Sequence, residues 1–355
     1  MSGSSAIVLS NRSYPTPAVA SNFAKNPFDW QTVSTLTTMP SGGSISRSGN
    51  AMLYDSTGKL TYAPNNLLLN TATLSTQSVT TAAINYILSF KGTGSVALSG
   101  AYSGSLAGTG ASNRVSLAFT STAASLTLTV TGTVTEAQLE AVTYQTTPST
   151  YVATTSAAYY GPRFDYSPST LQPVGLLIEG TRTNLLTYSE QLDNAAWTKT
   201  NSTITANATT SPDGTTTADK IVEDATTGVH GPQNSFTSTA AYYTASVYLK
   251  ASERSIGCVR LFDAGAGTGY ATFFNLSTGA VGTNAAGSTA TIQSVGNGWY
   301  RCTVSRLFVG AGGSLVQIFS CATDGTFSFA GTTGSGLFAW GAQVELAAFA
   351  SSYVS

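Results

Sequence analysis

Charge is what this 355-residue chain has least of. Asp, Glu, Lys and Arg together make up 9% of it, against roughly 25% in an ordinary globular protein. The net charge is −1, and the 15 basic residues are scattered singly. That leaves no basic field to collect phosphate contacts, which excludes nucleic acid as a partner. Histidine occurs once, as His230, between Val229 and the turn-forming Gly231-Pro232. It reads as an exposed loop residue, with no G-x-S-x-G nucleophile turn anywhere to serve. Cys258, Cys302 and Cys321 show neither metal-ligand nor redox spacing, and an odd count fits assembly in a reducing cytoplasm. All three read as small core residues. Long apolar runs are missing too: Leu307 to Phe319 is broken by Gly310, Gly312 and Gly313 and is too short to span a bilayer. No basic stretch followed by an apolar one opens the chain over Met1 to Ser13, so no signal peptide is expected.

Chemistry-bearing groups are equally thin. Glycoside cleavage needs two carboxyl groups about 5 to 10 Å apart. Glu136 and Glu140 share a helical spacing and Glu223-Asp224 are adjacent, but neither pair has the neighbouring aromatics of a sugar cleft. Asp213-Gly214 and Asp324-Gly325 are tight-turn signals without the alternating acids of a calcium loop. The run Gly265 to Gly269 lacks the strand-to-helix setting of a phosphate cradle. The expectation is a protein that is not an enzyme, with no metal and no cofactor.

What the chain does have is 42% hydrophobic residues, enough for real cores, set among Ser, Thr, Ala and Gly. Apolar residues alternate in Ile84 to Phe90, Val115 to Phe119, Leu126 to Val130, Tyr243 to Leu249, Trp299 to Val304, Leu315 to Phe319 and Gly336 to Trp340. Gly-rich turns separate these runs, Gly296-Asn297-Gly298 among them. Only Thr135 to Val142 suggests a helical turn. The pattern predicts an all-β chain: an N-terminal extended arm over 1–60, a small antiparallel β-sandwich over 61–155, a connector over 156–183, and a jelly-roll sandwich over 184–355.

A unit recurs in two lengths. The short copy runs from Asn66-Leu67-Leu68 through Ala137-Gln138-Leu139-Glu140 to Ser149-Thr150-Tyr151-Val152. The long copy runs from Asn184-Leu185-Leu186 through Ala342-Gln343-Val344-Glu345 to Ser351-Ser352-Tyr353-Val354. Two copies are too few for a solenoid. The recurrence of Glu140 and Glu345 in equivalent phrases points to a shared structural duty, such as bonding backbone amides at a strand end.

Residues Pro162 to Tyr166 and Gly175 to Leu186 resemble a phrase of tailed-phage virion proteins of the head-spike-fibre or tail-fibre-like kind. The likeness continues through Tyr188 to Gln191, Asp193 to Trp197, Ser246 to Ala251, Gly298 to Arg301, Trp340 to Glu345 and Ser351 to Val354. Upstream, Ser46-Arg47-Ser48 and Tyr54 to Gly58 resemble the lead-in such proteins place shortly before the Arg-Phe-Asp phrase, with the short β-unit set in between. The resemblance implies a carbohydrate-module-like jelly roll in a virion component, often oligomeric, and no chemistry.

One ligand class suits the aromatics. Flat sugar faces stack on Trp and Tyr, and Arg beside them holds hydroxyls. Alternation puts Trp299, Arg301 and Thr303 on one strand face; Trp197, Tyr248 and Trp340 are further candidates. The competing reading makes these aromatics core or interface filling. In the arm, Phe23, Phe28 and Trp30 are candidates for virion attachment. The sequence thus points to a non-enzymatic structural protein made in the bacterial cytoplasm and carried on the virion, as a capsid decoration protein or head fibre. Its expected partners are the major capsid protein or other virion proteins, further copies in a homotrimer, and host or environmental glycans. A receptor-binding tail fibre is the alternative, and a polysaccharide depolymerase a third.

Overall fold

The computed structural model describes Arg47 and residues 49–354; Phe23, Phe28 and Trp30 lie outside the described residues. Every regular element among the described residues is a β-strand.

The long unit is a sandwich of two six-stranded antiparallel sheets, as a jelly roll requires. One sheet orders Thr198–Thr200, Gly231–Ser238, Gly312–Cys321, Ile256–Asp263, Thr268–Asn275 and Ala280–Asn284. The other orders Ser202–Thr209, Ala218–Glu223, Gly336–Leu346, Tyr242–Ala251, Trp299–Leu307 and Ser288–Ser294. Val247, Leu249, Val304 and Val344 of the second sheet meet Val259, Leu261, Phe274 and Ile318 of the first in one core. Period-two alternation does the sorting: Cys302 and Val304 point inward while Arg301 and Thr303 point outward. All three cysteines are buried and unpaired, Cys302 in this core and Cys258 and Cys321 in a satellite cluster with Phe273 and Phe319.

The short unit is the same idea in miniature. A sheet of Val134–Val142, Asn85–Gly92 and Gly110–Thr120 faces one of Gln77–Thr80, Ser125–Thr131, Ser95–Gly100 and Gly104–Ala107. Leu88, Phe90, Leu98, Leu126, Leu128 and Leu139 fill the space between. The expected helical turn over Thr135 to Val142 is instead a strand paired with Asn85–Gly92. A bulge between Thr135 and Gln138, with Glu136 at φ 48°, breaks the four-residue spacing that suggested a helix. Glu136 turns out to Lys91 at 2.9 Å while Glu140 turns in.

The recurring phrase is a hydrogen-bonded clasp, built alike in both copies. Asn66 donates through Nδ2 to the carbonyls of Ala137 (3.1 Å) and Val152 (2.9 Å), and its Oδ1 accepts from the amides of Leu68 and Leu139. Asn184 donates to Ala342 (3.2 Å) and Val354 (3.1 Å) and accepts from Leu186 and Val344. Glu140 accepts from the amide and hydroxyl of Ser149, and Glu345 from those of Ser351. Gln138 accepts from Val152 N, and Gln343 from Val354 N, each at 2.8 Å. The bulge is copied as well: Gly341, φ 61°, stands where the short copy has Glu136.

The end of the span 1–60 expected as an extended arm is instead folded: Met52–Tyr54 pairs with Leu60–Tyr62, which runs across the expected boundary. This hairpin closes the end of the long sandwich, where Met52 and Leu60 pack with Tyr248, Trp299, Trp340 and Tyr353. Leu60 N donates to Pro212 O (3.0 Å), and the Tyr54 and Tyr248 hydroxyls meet at 3.1 Å. Asn65 then ties the hairpin to the short unit through Ala141 O at 3.0 Å.

Candidate functional site

The aromatics expected to hold sugar are buried. Trp197 and Trp299 are 1% exposed, and Tyr248 and Trp340 are 0% exposed. The face assignment for Trp299, Arg301 and Thr303 holds, but the hairpin at Met52–Tyr54 and Leu60–Tyr62 covers its Trp299 end. Trp299 Nε1 is spent on Thr210 O (3.0 Å) and Trp340 Nε1 on Thr217 Oγ1 (3.0 Å). Trp197 belongs to the inter-sheet core, its Nε1 bonded to Tyr188 O at 3.0 Å. These four are packing residues and present no ring face to a ligand.

Arg301 alone of the expected set reaches open space. Beyond the hairpin, the outer face of Trp299–Leu307 and its neighbour Ser288–Ser294 forms the floor of a groove of about 250 Å³. Register places Thr289 opposite Ser305, Thr291 opposite Thr303 and Gln293 opposite Arg301, six polar side chains in three cross-strand pairs. The loop Ala348 to Ala350 makes one wall and carries Phe349, 55% exposed, with the Arg182 guanidinium 5.4 Å from its ring centre. An apolar ring beside a ladder of hydroxyl, amide and guanidinium groups is the composition that grips a sugar, which has an apolar face and a hydroxyl rim.

The guanidinium of Arg301 is anchored from below. Nη2 donates to Ser246 Oγ (2.9 Å), the group lies 5.6 Å from the Tyr248 ring centre, and Nε is buried without a hydrogen-bond partner among the described residues. Burial pulls its pKa down, but the acidic groups of Tyr248, Tyr54, Glu345 and Glu179 outweigh that and raise it. Glu345 itself is pushed up by burial, against the bonds from Ser351 and the charges of Arg301 and Arg182. No carboxylate lines the groove, so a paired acid and base for glycoside cleavage is not assembled there.

The short unit has an arginine at the equivalent point. Arg114 stands opposite Lys91 as Arg301 stands opposite Tyr248. Its Nη1 bonds Glu136 O (2.8 Å), it sits 5.3 Å from the Tyr151 ring centre, and Nε and Nη2 are buried. Gly110–Thr120 ends its sheet, whereas the long unit adds Ser288–Ser294 beyond Trp299–Leu307 and so gains a groove floor.

The remaining sequence candidates are structural. His230 is buried rather than exposed, with Nδ1 2.8 Å from Asn201 O and Nε2 3.2 Å from Phe329 O. The bend at Asn201 and the short strand Phe329–Ala330, both distant in sequence, supply those carbonyls, which no local pattern announces. Glu223 is held by Arg254 through two 2.8 Å bonds and by Ser320 Oγ. Burial opposes its charge, yet those bonds keep its pKa below the usual carboxylate value. Asp213 accepts from Ser211 and Thr215 of its own turn, and Asp324 from the amide and hydroxyl of Thr283 in the strand Ala280–Asn284. Among the described residues no group of three His, Cys, Asp or Glu is placed to hold a metal ion.

Thr289, Thr291, Gln293, Ser305 and Phe349 are groove residues that sequence reasoning missed. The signal for the first three was the alternation of Ser288–Ser294, in which exposed Thr289, Thr291 and Gln293 alternate with half-buried Ala290 and Ile292; Ser305 and Phe349 had none.

No family model matches the chain, and no curated protein matches it. A search of solved structures finds similarity to the N-terminal CBM22-1-CBM22-2 tandem domain of Paenibacillus barcinonensis Xyn10C, at 10% identity and a TM-score of 0.29. That alignment covers 81% of this chain and 87% of the other. At that level the likeness adds nothing to what the sheets themselves establish: the chain is all-β, built of antiparallel sandwiches.

Proposed function

We propose that the protein is a non-enzymatic surface component of a tailed-phage virion that adheres to glycan through the groove at Arg301. The observation that carries the adhesion reading is the groove itself: three polar cross-strand pairs flanked by exposed Phe349, with no carboxylate in the lining. The virion reading is supported by the phrases from Pro162 to Val354 that resemble head-spike-fibre and tail-fibre-like proteins. Several of those residues, Arg163, Glu179, Asn184, Gln343, Glu345 and Ser352, are the ones that tie the long sandwich shut. Capsid exterior is the preferred place, with the residues before the hairpin at Met52 toward the shell and a homotrimer as the assembly. Many weak sugar contacts multiplied over symmetric copies give useful avidity.

Two experiments test this. Immunogold labelling of intact virions with antibody to residues 184–355 places gold over the head if the decoration reading holds; gold at the tail tip moves the protein to receptor binding, and unlabelled virions overturn both. On a glycan array the protein retains a defined set of oligosaccharides, and Arg301→Gln and Phe349→Ala each weaken retention at least tenfold. A protein that retains nothing, or variants indistinguishable from the parent, overturn adhesion at this groove. Release of reducing ends from the retained polysaccharide would instead favour a depolymerase.

A further inference from the structure

A second feature lies beside the groove, sharing Arg182 with its Phe349 wall, where the short unit, the hairpin and the long sandwich meet. A cleft of about 1260 Å³ opens there, lined on one side by residues such as Ile84 and Tyr86 and on the other by Arg163, Glu179 and Arg182. Arg47 lines it too.

The charges in this cleft do not balance. Glu179 is the one carboxylate of its lining among the described residues, and it is already committed to Arg163 Nη1 (2.8 Å), Ser352 N (2.8 Å) and Ser352 Oγ (2.5 Å). Arg163, 7% exposed, spends Nη1 on Glu179, on Ser352 Oγ (2.7 Å) and on Met52 O (3.4 Å), while its Nε and Nη2 make no hydrogen bond among the described residues. All three guanidinium nitrogens of Arg47 are buried with no hydrogen-bond partner among the described residues. Burial, with the like charge of Arg163 beside it, lowers its pKa to about 10. A buried cation without a partner is costly, on the order of several kcal/mol, unless something supplies the opposite charge. Arg182 adds a third positive group to the same lining, 3.8 Å from the buried Glu345.

We propose that this cleft binds the anionic group, a carboxylate or a phosphate, of a saccharide-sized ligand, with Arg163 and Arg182 as donors and Arg47 as a supporting charge. The free edge of Arg163 is a planar pair of N–H donors, the geometry that suits a two-oxygen acceptor. The volume exceeds that of a bare ion and falls just beyond the range of about 300 to 1,000 Å³ for small-molecule sites. Both units line the cleft, so a bound anion would also brace them against each other.

The test uses the full-length chain with oligogalacturonate, tripolyphosphate and neutral maltohexaose as probes, followed by thermal unfolding and calorimetry at low and high salt. At least one anionic probe is expected to raise Tm and bind at one site with an affinity that falls with salt, while the neutral probe does neither. A carboxylate-only or a phosphate-only response identifies the source of the anion. Arg47→Met carries the distinctive signature: it removes an unpaired buried charge, so the free protein melts higher while anion affinity drops about tenfold, or 1.4 kcal/mol. Arg182→Gln lowers affinity without the gain in Tm and serves as the second variant. Absence of any anion-specific shift overturns the proposal. So does an Arg47→Met protein that melts lower and binds as before. Neither result touches the groove at Arg301, whose variants are read on neutral and acidic glycans separately.

Discussion

Asn184→Ala is the perturbation that most directly tests how the long sandwich is closed. The amide of Asn184 makes four bonds to backbone: to Ala342 O and Val354 O as donor, and from Leu186 N and Val344 N as acceptor. A fifth goes to Ser189 Oγ at 2.7 Å. An intramolecular hydrogen bond contributes about 0.5 to 1.5 kcal/mol net, and a buried group left unpaired costs about 1 to 3 kcal/mol. Val344, Ala342 and Leu186 are buried, so their groups cannot turn to water, whereas the carbonyl of half-buried Val354 can in part. The sum is a loss of about 3 to 4 kcal/mol, a large share of a typical domain's total stability. Urea unfolding followed by tryptophan fluorescence reads it, because Trp197, Trp299 and Trp340 all sit in or against the long sandwich. The clasp of the short unit provides an internal replicate: Asn66→Ala removes the same four backbone bonds and should cost a similar amount, measured by circular dichroism. A cost below about 1 kcal/mol for Asn184→Ala would refute the idea that the clasp, rather than core burial alone, closes the sandwich.

Three further outcomes follow from the same geometry. Gly341→Ala should destabilise by about 1 to 3 kcal/mol in thermal melts, because a Cβ there meets Tyr248 at 3.0 Å and Tyr353 at 3.2 Å in a left-handed backbone of φ 61°. The mirror change, Glu136→Gly, relieves about 1 kcal/mol of left-handed strain and loses only an exposed ion pair to Lys91, so its urea midpoint should rise or hold. Glu190 has its pKa raised from 4.5 to about 7, chiefly by burial and then by Asp213, against the bond from Tyr353. The folded state therefore holds an extra proton between those values, so the contribution of Glu190 to stability is fully present below about pH 4.5 and is lost as pH rises through about 7. After discounting for contact with solvent the loss is about 2 kcal/mol, and Glu190→Gln should flatten that part of the stability–pH profile.

Strands and turns were legible because alternation is a local property. The runs at Tyr243 to Leu249 and Leu126 to Val130 both lie within observed strands, Tyr242–Ala251 and Ser125–Thr131. The duplication was legible as well, since Asn, Gln, Glu and Ser recur in fixed order, and their bonds explain why those types are needed. What alternation cannot tell is which face is covered. Trp299 and Arg301 share a face, yet a hairpin from far upstream lies over one and leaves the other at a groove. His230 was misread for the same reason, its carbonyl partners being Asn201 and Phe329. The helical spacing of Glu136 and Glu140 failed on a bulge, which breaks local periodicity without any Gly or Pro to announce it.

The clasp also decides how such a unit joins a longer polypeptide. In the short copy Asn66 stands at the entrance and Val152 at the exit, and a single 2.9 Å bond connects them. Asn184 and Val354 stand in the same relation at 3.1 Å. A unit whose incoming and outgoing strands leave side by side can be spliced into a surface turn of another protein without prising its host apart. The hairpin Met52–Tyr54 and Leu60–Tyr62 packs on the long sandwich although the short unit follows it in the chain, so the short unit already stands as an insertion between parts of one body. The Asn that locks each sandwich is thus also what makes it a cassette, and transplanting 66–152 into an unrelated β-turn is a direct use of that property.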